Sequence, residues 1–549
     1  MTARGQRHQV LRGATVVDGT RAPARRCDVE IDGGRIVTVG DVPAGTGEDV
    51  DLGGLVLAPG FIDGHTHFDA QIFWDPDFTP SSWHGVTTAV LGNCGFGVAP
   101  VRAGDEDLLM QVLEHVEGMN LHALRAGIVW TFETFPEFMA AIGAVPKRLN
   151  VAPMVGHTPL RYYVMGPEAE EREATDDEVA TMCRLLCEAM AAGAAGFSSS
   201  QAPSHIGPTG QPVPSRVASR SEIRQLLGTV AATGRGITEL TYGPQYDIAE
   251  VAQLSKDLGA RVTWGSLMTS LFGGHGAALE VLERGAAVGG DLWPQVSCRL
   301  VVNVSSFEEP NHFTLVPAFQ DVFRVPHATR PAVYADPAWR ARAASEFDRY
   351  RPMWWDLTWV RESAAYPDLV GRSLADLAAE RGADPWDLML DLALGEDLKT
   401  RFAIVSRNAD KEELTALLTD PRVVLGAHDA GAHVDMLCDA VFPTYLLGHW
   451  VRDEGAVSLE DAVWRLSGQI ADVFRIADRG FVRPDLAADL VAFDPDDVGP
   501  GEERRVWDFP GGADRLVAES RGVHSVWVNG QRVREDGRDL EGAAPGTLV

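Results

Sequence analysis

The sequence predicts an α/β fold, a (β/α)8 TIM barrel, and two observations carry that expectation. About eight short apolar segments alternate with helical stretches through the middle of the 549-residue chain, the pattern of a parallel sheet closed on itself. The first segment runs into His65-Thr66-His67 and then Asp69. Side chains alternate along a strand, so the two imidazoles share a face and can grip one cation.

Taken in order, strands are expected at 61–67, 87–93, 151–157, 193–199, 236–241, 260–268, 287–294 and 423–429. Pro59-Gly60 punctuates the start of the first, where Phe61 and Ile62 favour extended chain. Between the fourth and fifth, Ser221 to Leu227 reads as a serine-capped helix with apolar residues at helical spacing. The connection from about 300 to 400 is too long for a simple loop. It carries Trp339, Trp354, Trp355, Trp359 and Trp386 and reads as an inserted, partly helical subdomain. Those tryptophans either fill its own interior or form a lid over the barrel mouth. Near both ends of the chain, apolar and polar residues alternate between Asp-Gly turn signals. This suggests a small β-sandwich built from both termini, 1–57 with 484–549, beside a barrel over 58–483 that carries the insertion.

Composition narrows the function. A formal net charge of −30 disfavours nucleic acid and anionic membrane as partners. No apolar run is long enough to span a membrane, and the first eight residues lack the apolar centre of a signal peptide, so a cytoplasmic enzyme is expected. Six cysteines in so long a chain do not make a disulfide framework. Cys183 and Cys187, in an apolar helical stretch, are expected to be buried structural thiols.

Barrel enzymes place their chemistry at the carboxyl ends of the strands. There the sequence puts His65 and His67, Cys94, His157, Ser198–Ser200, Glu239, Ser266, Trp293 and Asp429. His, Cys, Glu and Asp together suit a transition-metal site better than a nucleophilic triad. Asp429 is the candidate for both metal ligand and general base, since a carboxylate beside a metal-activated water can take its proton and pass it to an amine. Cys94, between two glycines, reads either as a buried structural thiol or as a ligand. Glu239 reads as a ligand or as half of a salt bridge. His205 and Arg216, in the loop after the fourth strand, could bind an anionic group or simply be solvated.

The run 58–69, with Leu91-Gly92-Asn93-Cys94-Gly95 and Val155-Gly156-His157-Thr158-Pro159-Leu160-Arg161, resembles the amidohydrolase superfamily over nearly the whole chain. Within it the chain is similar to the N-acyl-D-amino-acid deacylase (D-aminoacylase) branch. The resemblance implies a metal-dependent hydrolase with a small β domain beside the barrel, Cys94 as a zinc ligand and Asp429 as the base. It implies a mouth role for His157 with Arg161, either on the tetrahedral oxyanion or as a brace. None of Lys147, Lys256, Lys399 and Lys411 ends an expected strand, so Cys94 is the best bridging candidate if two metals bind.

Two departures stand out. The branch has histidines at the ends of strands five and six, where this chain has Glu239 and no histidine at all. The lysine and tyrosine that hold a substrate carboxylate are replaced by Met268-Thr269 and Trp293-Pro294-Gln295, which points to a bulkier or more apolar amide. The expectation is therefore hydrolysis of an amide C–N bond in an N-acyl amino acid or related N-acyl compound. One or two zinc ions would be held by His65, His67, Cys94, Glu239 and Asp429. Asp429 and His157 would be catalytic, and Arg161, His205, Arg216 and Trp293 would touch the substrate. The partner is a small molecule, with a homo-oligomer left open. Rival readings are a hydrolase of cyclic amides, lactones or carbamates, and a non-catalytic relative with a decayed metal site.

Overall fold

Eight parallel strands follow one another in chain order around a single curled sheet: Phe61–Asp63, Val86–Leu91, Asn150–Gly156, Gly196–Ser199, Ile237–Thr241, Arg261–Leu267, Asp291–Val296 and Val424–Leu425. The computed structural model describes residues 8–271, 273–350 and 353–549, so residues 1–7, read above for a leader, lie outside it. Strands such as Val86–Leu91 and Asn150–Gly156 are buried along their whole length, which is why they read as continuous apolar runs rather than as alternation. The ring closes where Thr66 bridges Ala430 and the His67 amide donates to the Ala430 carbonyl at 2.7 Å. Gly431 makes that closure possible. It sits at φ +93°, and a Cβ there would lie 2.8 Å from the His67 carbonyl oxygen.

Helices cover the outside. The one expected near Ser221 runs Arg220–Ala232, and its cap is Ser219, whose side chain accepts from the Glu222 amide. Helix Asp176–Ala191 starts with a capping box of Thr175 and Glu178. It carries Cys183 half-buried and Cys187 exposed, so the expectation of two buried thiols fails for Cys187.

The segment between the last two barrel strands builds a three-stranded antiparallel sheet with Arg401–Arg407 between Val301–Ser305 and Thr358–Glu362. Helices around it enclose a separate core that includes Phe307, Phe319, Tyr334, Trp339 and Trp386. Trp339 and Trp386 are only 4% and 3% exposed. These two fill the insertion's own interior, whereas Trp359 packs with Cys438 and Leu516.

Both ends of the chain share one nine-stranded sheet. Val56–Pro59 is its junction, parallel to Gln9–Val16 and antiparallel to Leu490–Phe493. Only Gly60 separates that strand from the first barrel strand, and a Cβ there would collide with Thr87 at 2.3 Å. No helix among the described residues is long and apolar enough to cross a membrane.

Candidate metal centre

Three loops at the carboxyl ends of strands one, two and eight bring four donors to one point. The first strand ends at Asp63. Its carboxylate accepts the His65 amide at 3.1 Å and fixes the chain as it leaves the strand toward His67. Cys94 follows the second strand at φ +56°, flanked by Gly92 and Gly95, which are also left-handed. A Cβ on Gly95 would touch the Ser200 amide nitrogen at 2.8 Å, so glycine lets the Cys94 turn press against the fourth strand. Asp429 stands at φ +47° just beyond the eighth. Left-handed backbone at a cysteine and an aspartate costs energy and persists only where the surroundings impose it, as at functional sites.

His65 Nε2 lies 3.0 Å from Asp429 Oδ1 and 3.4 Å from Cys94 Sγ. His67 Nε2 is 3.7 Å from the same Asp429 oxygen. These spacings suit the edges of a coordination sphere whose ligands sit about 2.0–2.3 Å from a central ion. His67 Nε2 is buried with no hydrogen-bond partner, a cost that a cation would relieve. Sulfur, two imidazoles and a carboxylate form a set that suits zinc or a similar ion. Asp429 is far more open than either histidine, with its side chain 30% exposed against 2%, and it lines a cleft with Phe68, Leu437 and Leu516.

Two further residues tune this set. The His65 Nδ1–H donates to Gln295 Oε1 at 2.6 Å, which turns Nε2 toward the other donors. Gln295 also accepts from the Ala427 amide at 3.1 Å. Gly426 makes room for it, since a Cβ there would fall 2.5 Å from Gln295 Oε1. Glu239 is fully buried, and its carboxylate accepts the Cys94 amide at 2.6 Å. Its other oxygen is 4.0 Å from both Cys94 Sγ and His65 Nδ1. Glu239 thus stands behind the four converging donors and anchors the Cys94 turn.

The charges are strongly coupled. Burial disfavours a charged His65, but Asp429 and Glu239 outweigh it and hold its pKa up at about 9. Burial likewise opposes ionised Asp429, and His65 and His67 override it and hold the carboxyl well below its usual range. Burial, with Glu239, Glu117 and Asp429 nearby, pushes the Cys94 thiol well up. The acidic groups crowd one small volume and call for a cation as counter-charge.

His157 and Arg161 are placed elsewhere. His157 donates to Glu222 at 2.9 Å through Nε2 and meets the Ser199 hydroxyl at 2.8 Å through Nδ1. Arg161 donates to both Glu222 oxygens at 2.5–2.6 Å, and all three side chains are fully buried. The four donors converge without this triad. Arg161 is fully buried in it and has no open face toward the cleft.

His205 does approach the site. Its Nδ1 meets the Ser200 hydroxyl at 2.5 Å and its ring packs on Phe96. Burial pushes its pKa down to about 3, while His67 and His433 add to the fall and Asp429 opposes it. Arg216 donates to the Pro203 and His205 carbonyls at 3.2 and 3.0 Å and so braces that loop. Trp293 is a correction. The seventh strand runs on to Val296, which leaves Trp293 toward the start, hydrogen-bonded to Asp291 at 2.7 Å, and puts Gln295 at the mouth.

Sequence reasoning missed three residues: Gln295, Glu117 and His433. Glu117 ends helix Glu106–Glu117, where Gly118 turns the chain at φ +61°. Its Oε2 is 3.6 Å from His67 Nε2 and 3.9 Å from His433 Nε2. A glycine after an amphipathic helix marks its end, but nothing local marks the last glutamate as facing inward.

A family model described as "Amidohydrolase family" matches residues 48–301 and 327–534. A D-aminoacylase from Alcaligenes xylosoxydans xylosoxydans is 31% identical over 544 residues, spanning 96% of this chain and 94% of the relative. A solved D-aminoacylase with a binuclear metal centre superposes with a TM-score of 0.68 at 28% identity, covering 99% of each chain. The N-acyl-D-glutamate deacylase of Bordetella bronchiseptica, solved with zinc and a phosphonate mimic of the tetrahedral intermediate, gives 0.67 at 26% identity with 99% of each chain covered.

Proposed function

Because the chain belongs to the amidohydrolase family, in the branch that holds D-aminoacylase, we propose that it cleaves the amide bond of an N-acyl-D-amino acid with the help of zinc. The convergence of His65, His67, Cys94 and Asp429 at the carboxyl end of the barrel carries this reading. A divalent cation held by these four side chains would supply a water of lowered pKa, toward about 7, and a positive charge beside the scissile carbonyl. His65, oriented by Gln295, and His67 present ring nitrogens to it, and Glu239 holds the Cys94 turn in place. Asp429 faces the cleft, takes the proton of the attacking water and returns it to the departing amine. His205, close to the donors on the braced loop after strand four, is positioned to touch the acyl amino acid. His157 and Arg161 act as positioning residues through Glu222.

The terminal strands support a separate small β-sandwich, since Leu11, Ile31, Leu490 and Trp527 belong to a core of their own. The catalytic unit is then the barrel, about 58–483, with its insertion. All six cysteines are free thiols, which fits a reducing compartment such as the cytoplasm.

The test is hydrolysis of a panel of N-acyl-D-amino acids, their L-isomers and cyclic amides by zinc-loaded protein. Amine release from the D-panel is expected. Asp429→Asn is expected to lower turnover about 10²–10⁴-fold with an unchanged circular dichroism spectrum. Turnover of cyclic amides alone, or an Asp429→Asn variant as active as the parent, overturns the assignment.

A further inference from the structure

A separate group of donors lies outside the barrel-mouth set. His275, Asp410 and Glu413 each place one ligand atom within 4.8 Å of the others. His275 comes from the run Gly273-Gly274-His275-Gly276 in the loop after strand six. Asp410 and Glu413 come from the start of helix Lys411–Thr419, which leads from the insertion to strand eight. Among the described residues, none of the three shares a hydrogen bond or ion pair with His65, His67, Cys94 or Asp429.

Capping and one ion pair account for three of the four carboxylate oxygens. Asp410 Oδ1 accepts the Glu413 amide at 2.9 Å, and Oδ2 accepts from His275 Nδ1 at 2.6 Å. Glu413 reaches across to the next helix, Ala277–Val288, whose cap residue Gly276 has no side chain to offer. Its Oε1 accepts the Ala278 and Leu279 amides at 2.7 and 3.3 Å. The fourth oxygen, Glu413 Oε2, is buried without a partner in a residue only 1% exposed. A buried carboxylate oxygen in that state calls for a water or a cation. One imidazole beside two carboxylates favours the cation.

The frame that holds these donors is rigid. Asn408 stands at φ +62°. Its side chain accepts the Thr269 amide at 3.0 Å and donates to the Ser297 and Arg299 carbonyls at 3.1 and 2.9 Å. The Asp410 amide donates to Thr269 Oγ1 at 3.3 Å. The loop after strand six and the segment that opens the helix are thus pinned to each other through Thr269. The side chains of His275 and Asp410 are 60% and 24% exposed, so water can complete a coordination sphere.

We propose that His275, Asp410 and Glu413 bind a divalent transition-metal ion such as zinc, which clamps the loop after strand six to helix Lys411–Thr419. Uptake exchanges the proton between His275 Nδ1 and Asp410 Oδ2 for the ion and releases it to solvent. No cysteine belongs to this group, which sets it apart from the barrel-mouth donors. The inference stands independently of the proposed hydrolysis, and the experiment reads the two places separately.

The experiment is cobalt binding by chelator-stripped full-length protein, counted by elemental analysis at equilibrium dialysis and followed by absorption. An ion held at the barrel mouth by Cys94, the first equivalent, gives a sulfur-to-cobalt charge-transfer band. An ion on His275, Asp410 and Glu413 gives ligand-field absorption alone. His275→Gln and Asp410→Asn are each expected to bind one equivalent fewer than the parent and to keep the charge-transfer band. Asparagine preserves the helix cap, so the fold is expected to survive. If Asp410→Asn nevertheless loses its circular dichroism spectrum, His275→Gln, at an exposed position, decides. One equivalent fewer there supports the proposal, and a count equal to that of the parent overturns it. A His275→Gln variant that also loses the charge-transfer band overturns it too, because the equivalent lost is then the one at the barrel mouth. A parent without that band that still loses one equivalent on His275→Gln supports this site and removes Cys94 from the other.

Discussion

Gln295 shows how much one uncharged side chain contributes to this site. A neutral imidazole carries one proton, and the hydrogen bond at Nδ1 decides that Nε2 is the nitrogen left for a cation. Loss of such a partner typically weakens metal affinity about 10–100-fold. Gln295→Leu is expected to fall in that range by competition with a chromophoric chelator, and Gln295→Glu, which keeps the acceptor, to stay near the parent. Equal affinity in all three would show that His65 is oriented by something else. The convergence of His65, His67, Cys94 and Asp429 was legible in the sequence because each was placed at the end of an expected barrel strand. Gln295 was not, because a strand expected to end at Pro294 runs on to Val296. Two residues of register exchanged the mouth for the interior and put Trp293 in its place. Glu117 was invisible for another reason: its partners arrive from loops remote in sequence.

Two helices, His157–Met165 and Arg220–Ala232, are joined through Glu222. Its carboxylate receives a histidine and an arginine in a fully buried position. Removing one partner from such a cluster costs about 3–5 kcal/mol, because the other charge is left buried without a counterpart. Glu222→Gln is expected to lower the urea midpoint accordingly while the protein keeps its first equivalent of zinc. A variant of parental stability with lost turnover would instead give the triad a direct part in the chemistry. The helices and strands themselves were readable from period and caps: each of the eight barrel strands overlaps an expected segment, and five lie wholly inside one. The insertion was readable only as a long connection. Its tryptophans gave no sign of which way they faced, since a lid and a core need the same apolar residues.

Acid response belongs to the molecule as a whole. His84 sits where a turn before the second barrel strand meets the C-terminal segment, between the Thr444 hydroxyl at 2.7 Å and the Ala518 carbonyl at 3.0 Å. Burial, opposed only by the Ala518 hydrogen bond, pushes its pKa down from 6.5 to about 3. The unfolded chain therefore binds a proton between those values that the folded chain refuses. Stability is complete above pH 6.5 and is lost as the pH falls toward about 3, by an amount on the order of 5 kcal/mol for this residue. His84→Gln is expected to flatten the slope of unfolding free energy against pH in that window. An unchanged slope would assign the acid response to other buried histidines. That both termini contribute β structure was visible in their alternation, but the order of strands in their shared sheet was not, because pairing partners lie at opposite ends of the chain.

That shared sheet also sets a timetable for synthesis. Val56–Pro59, one glycine ahead of the strand that leads to His65, waits for its antiparallel neighbour Leu490–Phe493. Roughly 400 residues must be added in between, which at about 5–20 residues per second takes on the order of half a minute. Throughout that interval the nascent chain presents an open apolar edge next to the start of its barrel. A cell that makes this protein must shield that edge or tolerate its association with other chains, so the yield of active enzyme should respond to chaperone supply and translation speed more than a locally paired fold would.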